Sequence, residues 1–203
     1  MNLLNLLGSF VLLIIAMTVH EFAHGLTAYK LGDSTAKYSG RLTLNPLAHI
    51  DPIWTIAVPL MLYISSGGRF VFGAAKPVPI NYWALKNPKR DIILVSLSGP
   101  LANFIFAGAL AFLIRFLPAT LLSALLIELI AINVVLGVFN LIPLPPLDGS
   151  RVVAGLLPES LAAGYAAVEP YGFIILMFLF FFGGFGSIIW PVVEITLRLL
   201  GIA

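Results

Sequence analysis

Five long apolar runs dominate this chain and restrict the folds open to it. They lie at 2–31, 92–117, 119–142, 164–183 and 187–202, and a hydrocarbon layer about 30 Å thick needs roughly 20 residues of helix to cross it. Hydrophobic residues make up 60% of the 203 positions and charged residues only 10%, whereas soluble domains are about 45–50% apolar and about 25% charged. The apolar excess is more than one core can bury, so it must face lipid.

Shorter segments between the first two runs complete the predicted architecture. The segment Asp51–Ser65 is apolar, but its length suits a re-entrant or interfacial segment better than a span. Residues 37–44 and 69–80 have strand character. The sequence therefore predicts an all-α polytopic membrane protein with about five to six transmembrane helices and a small membrane-edge β-sheet and re-entrant region. All of it forms one membrane-embedded domain, 1–203.

The charged residues indicate how the chain is oriented and which partners it has. With 11 basic and 9 acidic residues, it lacks the dense basic face of a nucleic-acid-binding protein, so we expect a lipid bilayer and no nucleic acid as partner. Basic residues favour the cytoplasmic side of short loops. If the segment 51–65 dips into the membrane and returns to the same side, ten basic residues lie on that side and only Arg115 lies on the other. We therefore expect a multi-pass cell-membrane protein whose C-terminus is cytoplasmic. The ten are Lys30, Lys37, Arg41, Arg69, Lys76, Lys86, Lys89, Arg90, Arg151 and Arg198.

The first apolar run contains His20-Glu-Phe-Ala-His24. Side chains four residues apart on a helix project from nearly the same face, so both imidazoles can reach one metal ion, and Glu21 can address water beside it. Ionisable groups at membrane depth cost roughly 2.5–3.5 kcal/mol each even on the gentler scale. The alternative is that the histidines are interhelical hydrogen bonders and Glu21 is paired with a base, but the same helix holds no basic residue before Lys30. The pattern favours a metal site.

A third ligand is needed, because catalytic zinc sites use three protein ligands and an open position. The chain has no cysteine, which leaves His49 or a carboxylate. Asp148 is the strongest candidate, since it follows a proline-rich segment, 143–146, that cannot continue a helix and must unwind. The alternatives are that Asp148 is an ordinary turn residue before Gly149, and that His49 is structural rather than a spare ligand.

Three motifs together resemble the site-2 protease family of intramembrane zinc metalloproteases. They are His20-Glu-Phe-Ala-His24, the segment Ser98–Asn103, and the run from Asn140 to Asp148-Gly149. The resemblance covers about residues 10–155, and the short form without PDZ or CBS domains is the nearest type. The C-terminal helices, about 164–202, carry no motif of this kind.

This resemblance implies a set of roles. It implies one zinc ion per chain, bound by three residues: His20, His24 and Asp148. Glu21 would be the general base, Asn140 an oxyanion stabiliser and Asn103 a polar neighbour of the site. The implied activity is hydrolysis of peptide bonds in membrane-spanning protein substrates near the cytoplasmic face.

Two other classes of protein could also place ionisable residues in a membrane. A metal-binding transporter would use them as an ion pathway, but it would be expected to show paired repeats and matching broken helices, which the sequence lacks. A catalytically silent scaffold would keep the fold and lose its base, whereas Glu21 is intact. Both remain alternatives to the protease.

Overall fold

The computed structural model of the chain describes residues 3–65, 67, 73 and 75–202. Short helical turns at Pro46–His49, Pro52–Ala57 and Tyr82–Ala84 join longer elements. The α-helices of this described part are α1 (Leu3–Lys30), α2 (Thr35–Tyr38), α3 (Val58–Ser65), α4 (Pro88–Ile114), α5 (Leu121–Asn140), α6 (Asp148–Leu156), α7 (Glu159–Ala166), α8 (Glu169–Phe181) and α9 (Gly184–Leu199).

Helix α4 is the centre of the bundle, because it packs against α1, α5 and α6. Helix α5 also contacts α1 and α9. The core between these helices is built from small and branched side chains, including Ala16, Ala107, Ile130 and Val134, each fully buried. Small residues let helix backbones approach closely in a membrane. This packing brings the middle of α1 and the start of α6 against the same side of α4.

The expected count of five to six spans is not supported by the helix lengths. Within the described residues three helices are long and apolar enough to cross a membrane: Leu6–Lys30, Pro88–Ile114 and Leu121–Asn140. A fourth span is reached only if Glu159–Ala166 and Glu169–Leu179, bent by 59°, count as one. The chain is a helical membrane protein, and its described residues contain three to four helices long and apolar enough to span.

The two C-terminal runs explain most of this difference. The run 164–183, predicted as one helix, divides between α7 and α8. Pro170 lies in the first turn of α8, where its fixed φ suits a helix start and its missing N–H prevents a continuous ladder from α7. Helix α9 has 16 residues, or about 24 Å at 1.5 Å per residue, which is short of the hydrocarbon thickness.

The predicted membrane-edge β-sheet is not supported. Residues 37–38 are the end of α2, and 39–44 follow as a turn and bends. Buried Asp33 favours the helical turn before them, because its carboxylate accepts a hydrogen bond from Thr35 N (2.9 Å) in an Asx-turn. Of 69–80, residues 69–72 and 74 lie outside the described part, and 73 and 75–80 form no strand. The predicted segment 51–65 is a π-helical turn followed by α3, an apolar helix too short to count as a span.

Candidate metal centre and its neighbours

Three ligand-type side chains meet beside α4, and all three are buried. His20 Nε2 and His24 Nε2 lie 3.0 Å apart, one helical turn from each other on α1. Asp148 Oδ2 lies 3.0 Å from the first and 3.1 Å from the second. Among the described residues these three form a group whose ligand atoms all lie within 4.8 Å of one another. The geometry therefore gathers the three residues that the sequence singled out as ligands.

Asp148 reaches the group because the chain unwinds before it. Helix α5 ends at Asn140 and α6 begins at Asp148, and the prolines between them supply no N–H groups for a helical ladder. Gly149 lets the first turn of α6 lie directly on the end of α5, since a β-carbon there would stand 2.3 Å from the Leu141 carbonyl oxygen. In the Asp148-Gly149 pair, a candidate ligand is thus followed by the residue that permits its position.

The C-terminal helices hold this unwound segment from outside. A β-carbon on Gly172 of α8 would stand 2.0 Å from the Pro145 carbonyl oxygen, so the helix lies directly against the proline turn. The Tyr165 hydroxyl donates a hydrogen bond to the Pro143 carbonyl (2.7 Å). Helices that carry no motif of their own therefore support the backbone that presents Asp148.

Both histidines are oriented by hydrogen bonds on the ring nitrogens that face away from the group. His24 Nδ1 donates to the Val95 carbonyl of α4 (2.7 Å). His20 Nδ1 lies 2.6 Å from Asn103 Oδ1, also on α4. Partners of this kind fix the tautomer of ligating histidines. With Nδ1 as the donor on each ring, both Nε2 lone pairs face the centre.

Gly99 allows α4 to approach the two rings. A β-carbon there would stand 2.4 Å from His24 Nε2 and 2.7 Å from His20 Cε1, far inside van der Waals contact. Because glycine has no side chain, the backbone of α4 at Gly99 can lie directly against the two imidazole rings. The glycine of the Ser98–Asn103 segment therefore makes room for the imidazoles.

The donor set fits a zinc ion. A tetrahedral centre with bonds of about 2.0–2.1 Å separates its ligand atoms by about 3.3 Å, and the observed separations of 3.0–3.1 Å differ by only a few tenths of an ångström. Asp148 Oδ2 lies 3.0 and 3.1 Å from the two Nε2 atoms whose lone pairs face the same centre. A cation bound among these three acceptor atoms would make their close approach favourable, and the ionised carboxylate is the form of aspartate that binds a metal.

Glu21 lies beside the group and is held by the segment 76–81. The backbone N–H of Val78 donates to Glu21 Oε2 (2.7 Å). That segment is fixed in turn: Lys76 N donates to the His49 carbonyl (2.9 Å), and Asn81 N donates to buried Asp33 Oδ2 (2.7 Å). One oxygen of the proposed base is thus anchored by a polypeptide segment that is itself tied down at both ends.

The remaining candidates occupy different positions. Asn140 is partly buried, and its Nδ2 donates to the Leu136 carbonyl of its own helix (3.0 Å). His49 is buried and lies outside the group, with Nε2 donating to the Thr43 carbonyl (2.9 Å). Glu128, a carboxylate inside α5, accepts a hydrogen bond from Ser9 of α1.

Sequence reasoning missed Asn133 of α5, which is fully buried and bonds to Asn103 (2.8 Å). The available signal was a lone amide in an apolar run, since polar residues within spanning helices are costly. A second signal was its spacing from Asn140, seven residues or two turns, which puts both amides on one face of α5.

Fold and site together define a class: a helical membrane protein with a buried centre of two histidines and one carboxylate, flanked by a further carboxylate. Comparison with known proteins identifies the family within this class. The profile of peptidase family M50 matches residues 117–183. "Putative zinc metalloprotease YwhC" of Bacillus subtilis is 41% identical over 192 residues, covering 90% of this chain and 84% of the relative.

More distant relatives also have names that describe zinc metalloproteases. "Putative zinc metalloprotease Rip2" of Mycobacterium tuberculosis is 31% identical over 180 residues, which are 85% of this chain and 68% of that protein. "Zinc metalloprotease MJ0392" of Methanocaldococcus jannaschii is 26% identical over 151 residues, 74% of this chain and 34% of that protein. No solved structure matches the chain significantly. The chain belongs to the M50, or site-2 protease, family and is a zinc metalloendopeptidase.

Proposed function

We propose that this protein hydrolyses peptide bonds of membrane-embedded protein substrates near the cytoplasmic face of the cell membrane. The observation that carries the proposal is the convergence of three buried ligand atoms within 4.8 Å, inside a bundle of membrane-length helices. His20, His24 and Asp148 would hold one zinc ion per chain. Zinc, when bound, supplies a Lewis acid that lowers the pKa of water and polarises the scissile carbonyl.

Glu21 performs the proton transfers. Its carboxylate takes a proton from the attacking water and later gives it to the nitrogen of the leaving amine. The hydrogen bond from Val78 N to Oε2 holds the side chain, and Oε1 is the oxygen that accepts the proton. The opposing faces of the helix bundle exclude bulk water from the three ligands, which are at most 7% exposed.

The two asparagines act at different distances from the reacting atoms. Asn103 orients His20 through its Oδ1. Asn140 has two hydrogens on Nδ2, and the Leu136 carbonyl occupies one. The second hydrogen is the donor with which Asn140 stabilises the negative charge that develops on the carbonyl oxygen of the substrate.

The basic residues support the cytoplasmic placement. Both Lys30, at the end of α1, and Arg151, in the first turns of α6, lie a few residues beyond ligands of the centre. Because basic residues of short loops favour the cytoplasm, the end of the bundle nearest His24 and Asp148 is the cytoplasmic one. A substrate helix would be cut near this end of the bundle.

Metal removal tests the function directly. The full chain is reconstituted in vesicles with a protein substrate that has one transmembrane helix, and cleavage is followed by gel electrophoresis and mass spectrometry. We expect one zinc per chain, cleavage within or beside the substrate helix, loss of cleavage on chelation and recovery with zinc. Asp148→Ala is expected to lose both zinc and cleavage, because a ligand is gone.

The control is Glu159→Ala, which removes an exposed acid on α7 and should leave both properties unchanged. Substrate binding without cleavage at full zinc occupancy would identify a scaffold. Zinc movement across the vesicle with an intact substrate would identify a transporter. Either outcome would overturn the proposal.

The segment that anchors Glu21 gives a second prediction. Arg41 is 8% exposed and donates to the backbone carbonyls of Lys76 and Pro77, so Arg41→Ala should loosen the segment that carries Val78. We expect a fall of ~10-fold in kcat, because a misplacement of about 1 Å can cost about 100-fold and loosening one support of the base should displace it by less. Zinc content should stay at the wild-type value, and Lys37→Ala, which removes an exposed cation, should leave kcat unchanged. An unaltered kcat in Arg41→Ala would contradict the anchoring role.

A further inference from the structure

Asn133 is a buried amide whose orientation is fixed by its own helix. It is 0% exposed in the middle of α5, where an unpaired polar group would be costly. Its Nδ2 donates to the Leu129 carbonyl one turn earlier (2.8 Å). Its Oδ1 is therefore directed away from α5 and accepts a hydrogen bond from Asn103 Nδ2 (2.8 Å).

Asn103 has its orientation fixed in the same manner. It is also 0% exposed, and the two hydrogens of its Nδ2 go to two acceptors, Asn133 Oδ1 and the Ala16 carbonyl of α1 (3.1 Å). Both donors are then used, and Oδ1 is left to accept the proton of His20 Nδ1 at 2.6 Å. A chain of amides thus runs from α5 through α4 to a metal ligand on α1.

The orientation of the Asn103 amide determines which ring nitrogen of His20 carries the proton. If the Asn103 amide were rotated by 180°, its NH₂ group would face His20 Nδ1, which would then have to be the acceptor. The imidazole proton would move to Nε2, the nitrogen that faces Asp148 and His24. A ring nitrogen that carries a proton has no lone pair for a metal.

We propose that Asn133 is a positioning residue of the metal centre: through Asn103 it keeps His20 in the tautomer whose Nε2 binds the ion. The proposal rests on the proposed function, since it takes His20 as a zinc ligand. Asn133 touches neither the substrate nor the ion, and its effect reaches the centre only through the Asn103 amide. Loss of the Asn133 acceptor frees one hydrogen of Asn103 and weakens the preference for the observed amide orientation, which is then supported only by the longer bond to the Ala16 carbonyl.

The test is the zinc affinity of the purified full chain, measured by competition with a chromophoric chelator. Asn133→Leu keeps a similar volume and removes the acceptor, and the dissociation constant for zinc should rise by about 10- to 100-fold, the usual effect of losing a partner of a metal ligand. Asn133→Ala, which removes the acceptor without a branched side chain, carries the same expectation. Asn133→Asp keeps an acceptor oxygen and should retain most of the affinity.

A double-mutant comparison separates this role from a general effect on stability. In an Asn103→Leu background, Asn133→Leu should produce no further loss of zinc affinity, because the route to His20 is already cut. Thr18→Val is the matched control: Thr18 is a buried polar residue on α1 whose hydroxyl donates to the Ile14 carbonyl of its own helix, and its loss should leave zinc affinity unchanged.

The outcomes distinguish the two proposals. Wild-type zinc affinity for Asn133→Leu or Asn133→Ala, or additive losses in the double mutant, would overturn the positioning role alone. An affinity that His20→Ala does not alter would overturn His20 as a ligand, and with it both proposals.

Discussion

Replacing Gly99 by alanine is expected to weaken zinc binding by about 100-fold or more, at the upper end of what disturbed ligand support produces. A methyl group at this position would stand 2.4 Å from the His24 nitrogen that faces the centre, so the two histidine rings must move apart from α4. The measurement is zinc affinity by chelator competition, together with cleavage of the reconstituted substrate, which should fall in parallel.

The same helix provides the control for Gly99. A β-carbon on Gly108 would meet nothing within 4 Å, so Gly108→Ala should leave zinc affinity unchanged. Both substitutions gain about 0.5–1 kcal/mol of helix stability from replacing glycine, and therefore a difference between them reports the clash with the rings. Equal zinc affinities for the two variants would show that the rings do not lie where the structure has them.

Replacing Glu21 by glutamine is expected to lower kcat by about 10²–10⁴-fold, the usual contribution of a general base. The amide oxygen of glutamine can still accept the hydrogen bond from Val78 N, so the shape of the site is retained and only the proton acceptor is lost. Zinc content should stay at one per chain. Cleavage of the membrane substrate over time, measured beside zinc content, gives both quantities from one preparation.

The control for Glu21 is Glu128→Gln, which changes another carboxylate within a spanning helix. Glu128 bonds Ser9 and is not part of the ligand group, so its substitution should leave kcat at the wild-type value. Wild-type cleavage by Glu21→Gln would remove Glu21 from the mechanism.

The ligand group was largely predictable, and the reason is local. The i, i+4 spacing of His20 and His24 depends only on helix geometry, and the proline run before Asp148 excludes a helix by covalent structure. The partners of these residues were less predictable. A single Asn133 in an apolar helix fits several faces of a bundle, and only the packing of α5 against α4 decides that it meets Asn103.

The two errors in the predicted fold have a common cause. Apolar length alone predicted one helix over 164–183, but the backbone chemistry of Pro170 divides it. The strand character of 37–44 was overridden by the buried Asp33 carboxylate, which favours a helical turn at Thr35. In both places a single residue that ends or begins an element outweighed the average hydropathy or propensity of its neighbours.

The separation of the ligands along the chain bears on how the protein is made. His20 and Asp148 are 128 residues apart, so at roughly 5–20 residues per second the ribosome produces Asp148 roughly 6–26 s after His20. Asn103, the amide that bonds His20, follows it by 83 residues, so when α1 has just been synthesised with its two histidines and glutamate, neither this amide nor the aspartate has been made. The translocation machinery must therefore accept a first helix whose polar face is matched only by helices still to be synthesised.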